Sequence, residues 1–416
     1  MQRLVSVVSR RAPARTAFAS LCAKLSTSAA EMGAWGVFPR EREGNIYSVN
    51  WSLTEDGVVP VGDAFRNARS AVLESKLGAK IEGGKVSVSK PAFNGECAVQ
   101  EAGADITHGE FVNLLEAQQD HLSSGVEIFV EDAGLGAASA NRIGVRVVSD
   151  SSAVAMVARN LMIKTPARGV DHRARFDGWN LDPRWIDQPE GHFDADDKWH
   201  EVNGPNQESQ GERPIVAFVG GPGAHCAIQF SQRKDGAGIV GANVSVGADA
   251  PVSAMVEALT EAACGVLNEQ QADSVAVPSC ALTNGTLVIN ADDSVTTGAH
   301  GAGSLYGAYG NIITPDGVTA MWDGVVGPVP AKAAAHGAAP FVVNGGNTAI
   351  SLQPDNMSNK PTKIVFFEAG AGKKALSEDE AVERLVDLSD EGKTDAIRSL
   401  LKGVKCSTAG SAKDCM

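Results

Sequence analysis

A series of short apolar, β-branched runs set between glycine-rich or acidic turns constrains the fold of this chain more than any other feature. Val126–Val130, Ile143–Val148, Pro214–Val219, Thr286–Asn290, Val318–Met321 and Ile364–Phe367 are too short for free-standing helices. They are also nearly continuous in hydrophobicity, which predicts strands covered on both faces. Helical patterns interleave with them. Thr107 and Glu110 form a capping box ahead of Phe111, Leu114 and Leu115, and Ser151 or Ser152 stands before the stripe of Val154, Val157 and Leu161. Ser377 and Glu380 repeat the capping box before Val382, Leu385 and Val386, and Ile397, Leu400 and Leu401 follow at helical spacing. Strands alternating with helices predict an α/β chain. At 416 residues, 43% of them hydrophobic, the chain can bury a large core in one or two domains.

The first thirty residues differ in kind from the rest. Arg3, Arg10, Arg11, Arg15 and Lys24 lie among Ser, Ala, Val and Leu, and no acid precedes Glu31. That pattern predicts a mitochondrial presequence over 1–30. Losing five basic residues would make a chain of formal charge −14 more acidic still. Nucleic acid is therefore excluded as an expected partner, because binding it depends on neutralising phosphates with Lys and Arg. No run of eighteen apolar residues predicts a membrane span. The seven cysteines lack C-x-x-C pairing, so neither zinc nor a disulfide framework is expected. Cys406 and Cys415 fall in a polar stretch that reads as a loose tail. Residues 171–211, rich in Trp, Asp, Pro and Asn, read as a long surface loop, and the spacing of His172, His192 and His200 matches no metal-ligand pattern.

From Val130 to Pro166 the sequence reads VEDAGLGAASANRIGVRVVSDSSAVAMVARNLMIKTP. Asp132, Ala133, Arg142, Val145, Arg146, Asn160, Ile163 and Lys164 occur in the order of a block in the ATP-dependent phosphoenolpyruvate carboxykinases, which this stretch resembles. Later segments keep that family's order. His300–Gly307, HGAGSLYG, resembles its Y-x-G-x-x-K-K-G block. Ile312–Trp322, IITPDGVTAMW, resembles a strand-turn-strand that ends in Met-His, and Ile364–Ser377, IVFFEAGAGKKALS, resembles its phosphate loop. The resemblance implies an α/β fold of the α+β kind built on a mixed sheet, with an N-terminal-domain-like region over 31–335 and a truncated remnant of a nucleotide domain over 336–416.

The resemblance also shows what has changed. In a phosphate loop, backbone N–H groups cradle the phosphates, a Lys reaches the outer ones, and a hydroxyl residue holds Mg²⁺. Gly370, Gly372 and Lys373 keep their places, but Glu368 replaces the first glycine and Lys374 the hydroxyl residue. The family's metal-binding Lys and His fall at Leu305 or Tyr306 and at Trp322, none of which ligates a cation. Its substrate-gripping Arg segment has no counterpart in Lys85–Glu96, KVSVSKPAFNGE. Asp387 and Asp390, near where a metal carboxylate would fall, read as an acidic helix end.

Phosphoryl transfer depends on positioning and on metal-assisted charge neutralisation, so losing these groups together removes the route. The expectation is a pseudoenzyme with no catalytic residues, no cofactor and no metal. It would serve as an accessory structural subunit of a large assembly on the matrix side of the mitochondrial inner membrane, the ATP synthase peripheral stalk or a respiratory complex, with other protein subunits as partners. Two alternatives stand beside it. One is a small-anion or nucleotide-binding module with a regulatory role, using Gly370, Gly372, Lys373 and the Arg142 or Arg146 region. The other is a divergent active enzyme, either carboxykinase-like or with new chemistry, and for the latter the adjacent His225 and Cys226 offer a geometrically poor base and nucleophile, since neighbours on an extended segment point to opposite faces.

Overall fold

The computed structural model describes residues 97–138, 141–163, 215–232, 238–302, 304–327, 360–389 and 391–415, with shorter pieces in 53–88, 192–200 and 341–358. Its first half runs β1 (Asp63–Arg66), α1 (Ser70–Lys76), β2 (Lys80–Glu82), β3 (Lys85–Val88), β4 (Gln100–Glu101), α2 (His108–Ser124), β5 (Glu127–Leu135), β6 (Ile143–Ser149), α3 (Ser152–Leu161), β7 (His192–Phe193), β8 (Trp199–His200), β9 (Ile215–Val219), β10 (Cys226–Gln232), β11 (Ile239–Val246) and α4 (Val252–Gln270). Seven of these strands form one mixed sheet in the order β1-β5-β6-β9-β11-β10-β4. Within it β6, β9 and β11 run parallel, while β5/β6 and β10/β11 are antiparallel.

Alternation along the strands sorts this sheet into two cores, as the period of two requires. Ile128, Val130, Val148, Val216 and Phe218 meet Leu122 of α2 on one face. Phe129, Val145, Val147, Ile215 and Ala217 meet α3 and α4 on the other. The expected caps are in place: Thr107 and Glu110 complete a reciprocal capping box on α2, and Ser151 caps α3. The nineteen-residue α4 gives only a weak amphipathic signal. Val252, Met255, Val256, Leu259, Ala262, Ala263, Val266 and Leu267 are all buried, so apolar residues take up most of its circumference and a narrow stripe of Ser253, Glu257, Glu261, Gly265 and Glu269 stays outside the core.

The second half comprises β12 (Val275–Pro278), β13 (Cys280–Thr283), β14 (Thr286–Ile289), α5 (Asp293–Gly301), β15 (Leu305–Gly307), β16 (Gly310–Thr314), β17 (Gly317–Ala320), β18 (Gly324–Gly327), β19 (Phe341–Val343), β20 (Ala349–Leu352), β21 (Met357–Ser358), β22 (Lys363–Phe367), α6 (Glu378–Val386), α7 (Thr394–Leu401), β23 (Lys405–Ala409) and α8 (Ala412–Cys415). Three further sheets follow, in the orders β12-β16-β17-β21, β15-β13-β14-β22-β23 and β18-β20-β19-β3-β2, and β7 pairs with β8 alone. In the sheet that ends in β23, Leu287, Ile289, Ile364 and Phe366 pack on α6 and α7, while Val288, Val365 and Phe367 pack on the side of α5 and α8. β14, β22 and β23 are parallel, so α6 and α7 form the crossover between β22 and β23.

The fold is thus mixed α/β of the α+β class, with several mixed sheets. Residues 405–415 correct the expectation of a loose tail. Lys405–Ala409 is a strand paired along its whole length with β22, and Cys415 is buried behind it. The polar letters Lys405, Ser407 and Thr408 hid a strand that needs little hydrophobicity because it lies at a sheet edge. The sheet ending in β23 also draws β13, β14 and β15 from before position 335 and β22 and β23 from after it. Residues 1–30, Asp390 and most of 171–211 lie outside the described residues.

The two halves are tied by Lys393, which is buried just ahead of α7. Its ammonium donates to the carbonyl of Gln271 and, at 3.1 Å, to that of Ser274, at the C-terminal end of α4. Cationic donors are favoured there by the helix dipole and the unpaired carbonyls. Lys393→Met should cost about 1–3 kcal/mol, the penalty for leaving buried carbonyls without donors, read as a lower urea midpoint. An unchanged midpoint would show that the tie contributes nothing.

Candidate functional site

The phosphate-loop-like segment follows β22 and leads into α6, the strand-loop-helix order that the sequence implies. Its geometry differs from a cradle. α6 begins only at Glu378, so Lys373 lies in an extended loop instead of the first helical turn. That loop is fastened to β23 and the turn beyond it. The N–H groups of Glu368 and Gly370 donate to the carbonyls of Ala409 and Gly410 at 2.9 and 3.2 Å, and Leu376 donates to Cys406 at 3.0 Å. Thr408 N–H donates to Lys374 O at 2.8 Å. Its hydroxyl donates to Gly372 O at 2.9 Å and accepts from Lys374 N–H at 3.2 Å. The backbone donors at 368, 370, 374 and 376 are therefore committed within the fold. Gly410 permits the contact, because a Cβ there would lie 2.0 Å from the carbonyl oxygen of Ala371.

The substituted positions are also engaged. The Glu368 carboxylate pairs with Arg384 of α6, whose guanidinium lies 5.3 Å from the Phe366 ring centroid. The Lys374 ammonium pairs with Glu380 at 3.0 Å. Glu380 in turn accepts from the N–H of Ser377 at 2.8 Å, and that bond together with Lys374 holds its carboxyl down to about 2. The start of α6 carries Glu378, Asp379 and Glu380. A helix N-terminus attracts anions through its dipole and its unpaired N–H groups, and here the protein's own carboxylates occupy that position. Gly370 keeps a positive φ of 77°, and Lys373 is exposed beside it. Asp387 closes α6 at its exposed C-terminal end.

The other implied positions are core residues and are not brought to this loop. Trp322 is fully buried, its indole N–H donating to Thr260 of α4 at 2.9 Å, with the Tyr309 ring edge-on at 6.4 Å. Leu305 and Tyr306 lie on β15, at the opposite edge of the sheet from β23. Three strand spacings, roughly 14 Å, separate β15 from β22. Among the described residues no group of three or more His, Cys, Asp or Glu side chains is placed to hold a metal.

The arginines named as an anion grip are turned inward. Arg146 is fully buried and holds Asp132 through two bonds of 2.7 and 3.0 Å, with Asp56 at 3.3 Å. Arg142 donates to the carbonyls of Gly136 and Ala137 at 3.0 and 2.7 Å.

The crevice beyond the C-terminal ends of β6, β9 and β11 is where ligands bind in open parallel sheets. Here it is filled by a relay that sequence reasoning did not find. Gln118 of α2 donates to the carbonyls of Gly220 and Val246, and accepts from the Ser245 hydroxyl at 2.6 Å. With that proton spent, the 3.0 Å contact from His225 Nε2 to Ser245 makes the imidazole the donor. Burial lowers the His225 pKa. Ser245 is fully buried and donates away from the histidine, so the pair lacks the geometry of a nucleophile and its base. Cys226 points to the other face and donates to Ala254 O at 3.4 Å, and burial pushes its thiol far up.

No family model matches the sequence, and no curated protein matches it.

Proposed function

We propose that this chain is a non-catalytic, carboxykinase-like scaffold, an accessory structural subunit of a large mitochondrial inner-membrane assembly such as the ATP synthase peripheral stalk or a respiratory complex. One observation carries the non-catalytic part: the loop that would receive a phosphate is occupied by the protein's own groups. Its backbone donors at 368, 370, 374 and 376 go to β23 and the turn beyond it, its carboxylate to Arg384, its second lysine to Glu380, and the helix start behind it is acidic. An incoming polyphosphate would displace a strand contact and meet carboxylates, and among the described residues no group of metal ligands adjoins. The mitochondrial part rests on the basic, acid-free stretch 1–30. No helix among the described residues is long and apolar enough to cross a membrane, which is in keeping with a peripheral place.

Two measurements test the two parts separately. Titration of the full chain with millimolar Mg-ATP is expected to leave its thermal midpoint unchanged. Binding a hundredfold below the ligand concentration would stabilise it by about 2.7 kcal/mol and raise the midpoint by several degrees, favouring the nucleotide-binding alternative. Affinity purification of the tagged chain from mitochondria should recover a defined set of inner-membrane subunits at constant stoichiometry. A chain that fractionates only as a free monomer would remove the scaffold reading.

A further inference from the structure

The far edge of the seven-stranded sheet gathers like charges at a weakly held strand. β4 joins β10 at two paired positions only, Ala227 with Gln100 and Ile228 with Glu101, and Ala102 N–H adds one bond to Ile228 O at 2.8 Å. Parallel partners point to the same face, so Glu101 shares the face on which Ile228 packs against α4. α4 lies along this face between two anchors. The Cys226 thiol meets Ala254 O at 3.4 Å, and the Phe230 ring sits where a Cβ on Gly265 would be 2.6 Å away. Glu257 and Glu261, one helical turn apart, lie between those anchors. The turn after β4 adds Asp105, whose carboxylate accepts from Glu101 N–H at 2.9 Å.

We propose that β4 is a proton-operated edge strand: it docks on β10 while Glu261 of α4 holds a proton, and it loosens once the carboxylates facing one another across the α4–β4 junction are all ionised. The described groups around Glu261 supply no compensating cation. Glu257 comes from its own helix, Glu101 from β4, Asp105 from the turn, and the thiols Cys97 and Cys226 come from the segment before β4 and from β10. His108 is turned to the opposite face of β10, where its ring meets Gln229 at 3.2 Å. Burial first, then the charges of Glu257, Glu101 and Asp105, pushes the Glu261 carboxyl up to about 7 from an ordinary value of 4.5. The docked state therefore holds a proton that the loosened state gives up. Docking is strongest below pH 4.5, weakens as the pH rises towards 7, and changes little beyond it.

Hydrogen exchange of the full chain, followed by mass spectrometry at pH 5, 6, 7 and 8 and corrected for intrinsic exchange rates, reads this directly. Opening at residues 100–106 and 227–232 should rise with pH from 5 to 7, by no more than about tenfold per pH unit for the one proton of Glu261, and level off by 8. Amides of β22 serve as the internal reference and should not follow. Glu261→Gln keeps the shape without the charge and should hold the edge closed at every pH. A wild-type edge whose opening is flat between pH 5 and 7, or a slope that persists in Glu261→Gln, would overturn the proposal.

Discussion

Replacing Arg146 with alanine is expected to lower the folding stability by about 3–5 kcal/mol, the cost of breaking a buried ion pair by removing one partner. The guanidinium lies at the centre of the first sheet, fully buried, with two bonds to Asp132 and a third contact to Asp56. Without it the Asp132 carboxylate, whose side chain is 5% exposed, keeps a charge with its main partner gone. Asp56 would suffer as well, since it belongs to the segment that carries the buried Leu53 and Val58 across the same face. The check is urea unfolding of single and double variants. Arg146→Met combined with Asp132→Leu should recover most of the loss, because replacing a buried pair by apolar groups of similar volume is often close to neutral. A single variant within about 1 kcal/mol of wild type would mean that Arg146 is hydrated or otherwise compensated, and the inward reading of this arginine would fail.

The second large effect belongs to Trp322. Truncation to alanine should cost about 3–5 kcal/mol, from lost apolar burial and from the cavity left between α4 and the strands before it. Trp322→Phe separates the two contributions. It keeps most of the volume, losing only the bond to Thr260 and part of the edge-on contact with Tyr309, so its cost should stay near 1–2 kcal/mol. A midpoint shift of equal size in both variants would show that the hydrogen bond and not the packing dominates. Trp322→His is informative in another way. It restores the residue type of the resembled motif at a fully buried position, and it should destabilise the chain without creating divalent-metal affinity.

Much of the architecture was legible wherever local chemistry and periodicity acted together. The capping boxes at Thr107 and Ser377 specify helix starts through bonds made within four residues, and both form as written. The runs Ile143–Val148 and Ile364–Phe367 specify strands buried on both faces, and they pack that way. α4 escaped because apolar residues cover most of its circumference and its polar stripe is narrow, and β23 because an edge strand tolerates polar letters. At the candidate loop, the sequence shows that Glu368 and Lys374 stand where a glycine and a hydroxyl would be needed, but it cannot show where their charges go. Arg384 and Glu380 neutralise them from the far side of the loop, and Thr408, from a stretch that reads as a tail, fastens the backbone. No spacing rule links residue 408 to residues 372 and 374.

Unaided, the order of the residues determined which segments are helices or strands and which chemical groups the loop after β22 possesses, because those depend on interactions a few residues long. Only the tertiary structure decided that four of the loop's donors are committed to β23 and the turn beyond it, that Arg146 turns inward, and that the acids of α4 and β4 come together at a sheet edge. Each of these pairs groups far apart in the chain, and which distant partner satisfies a buried donor or faces a carboxylate is set by how the sheets and helices stack.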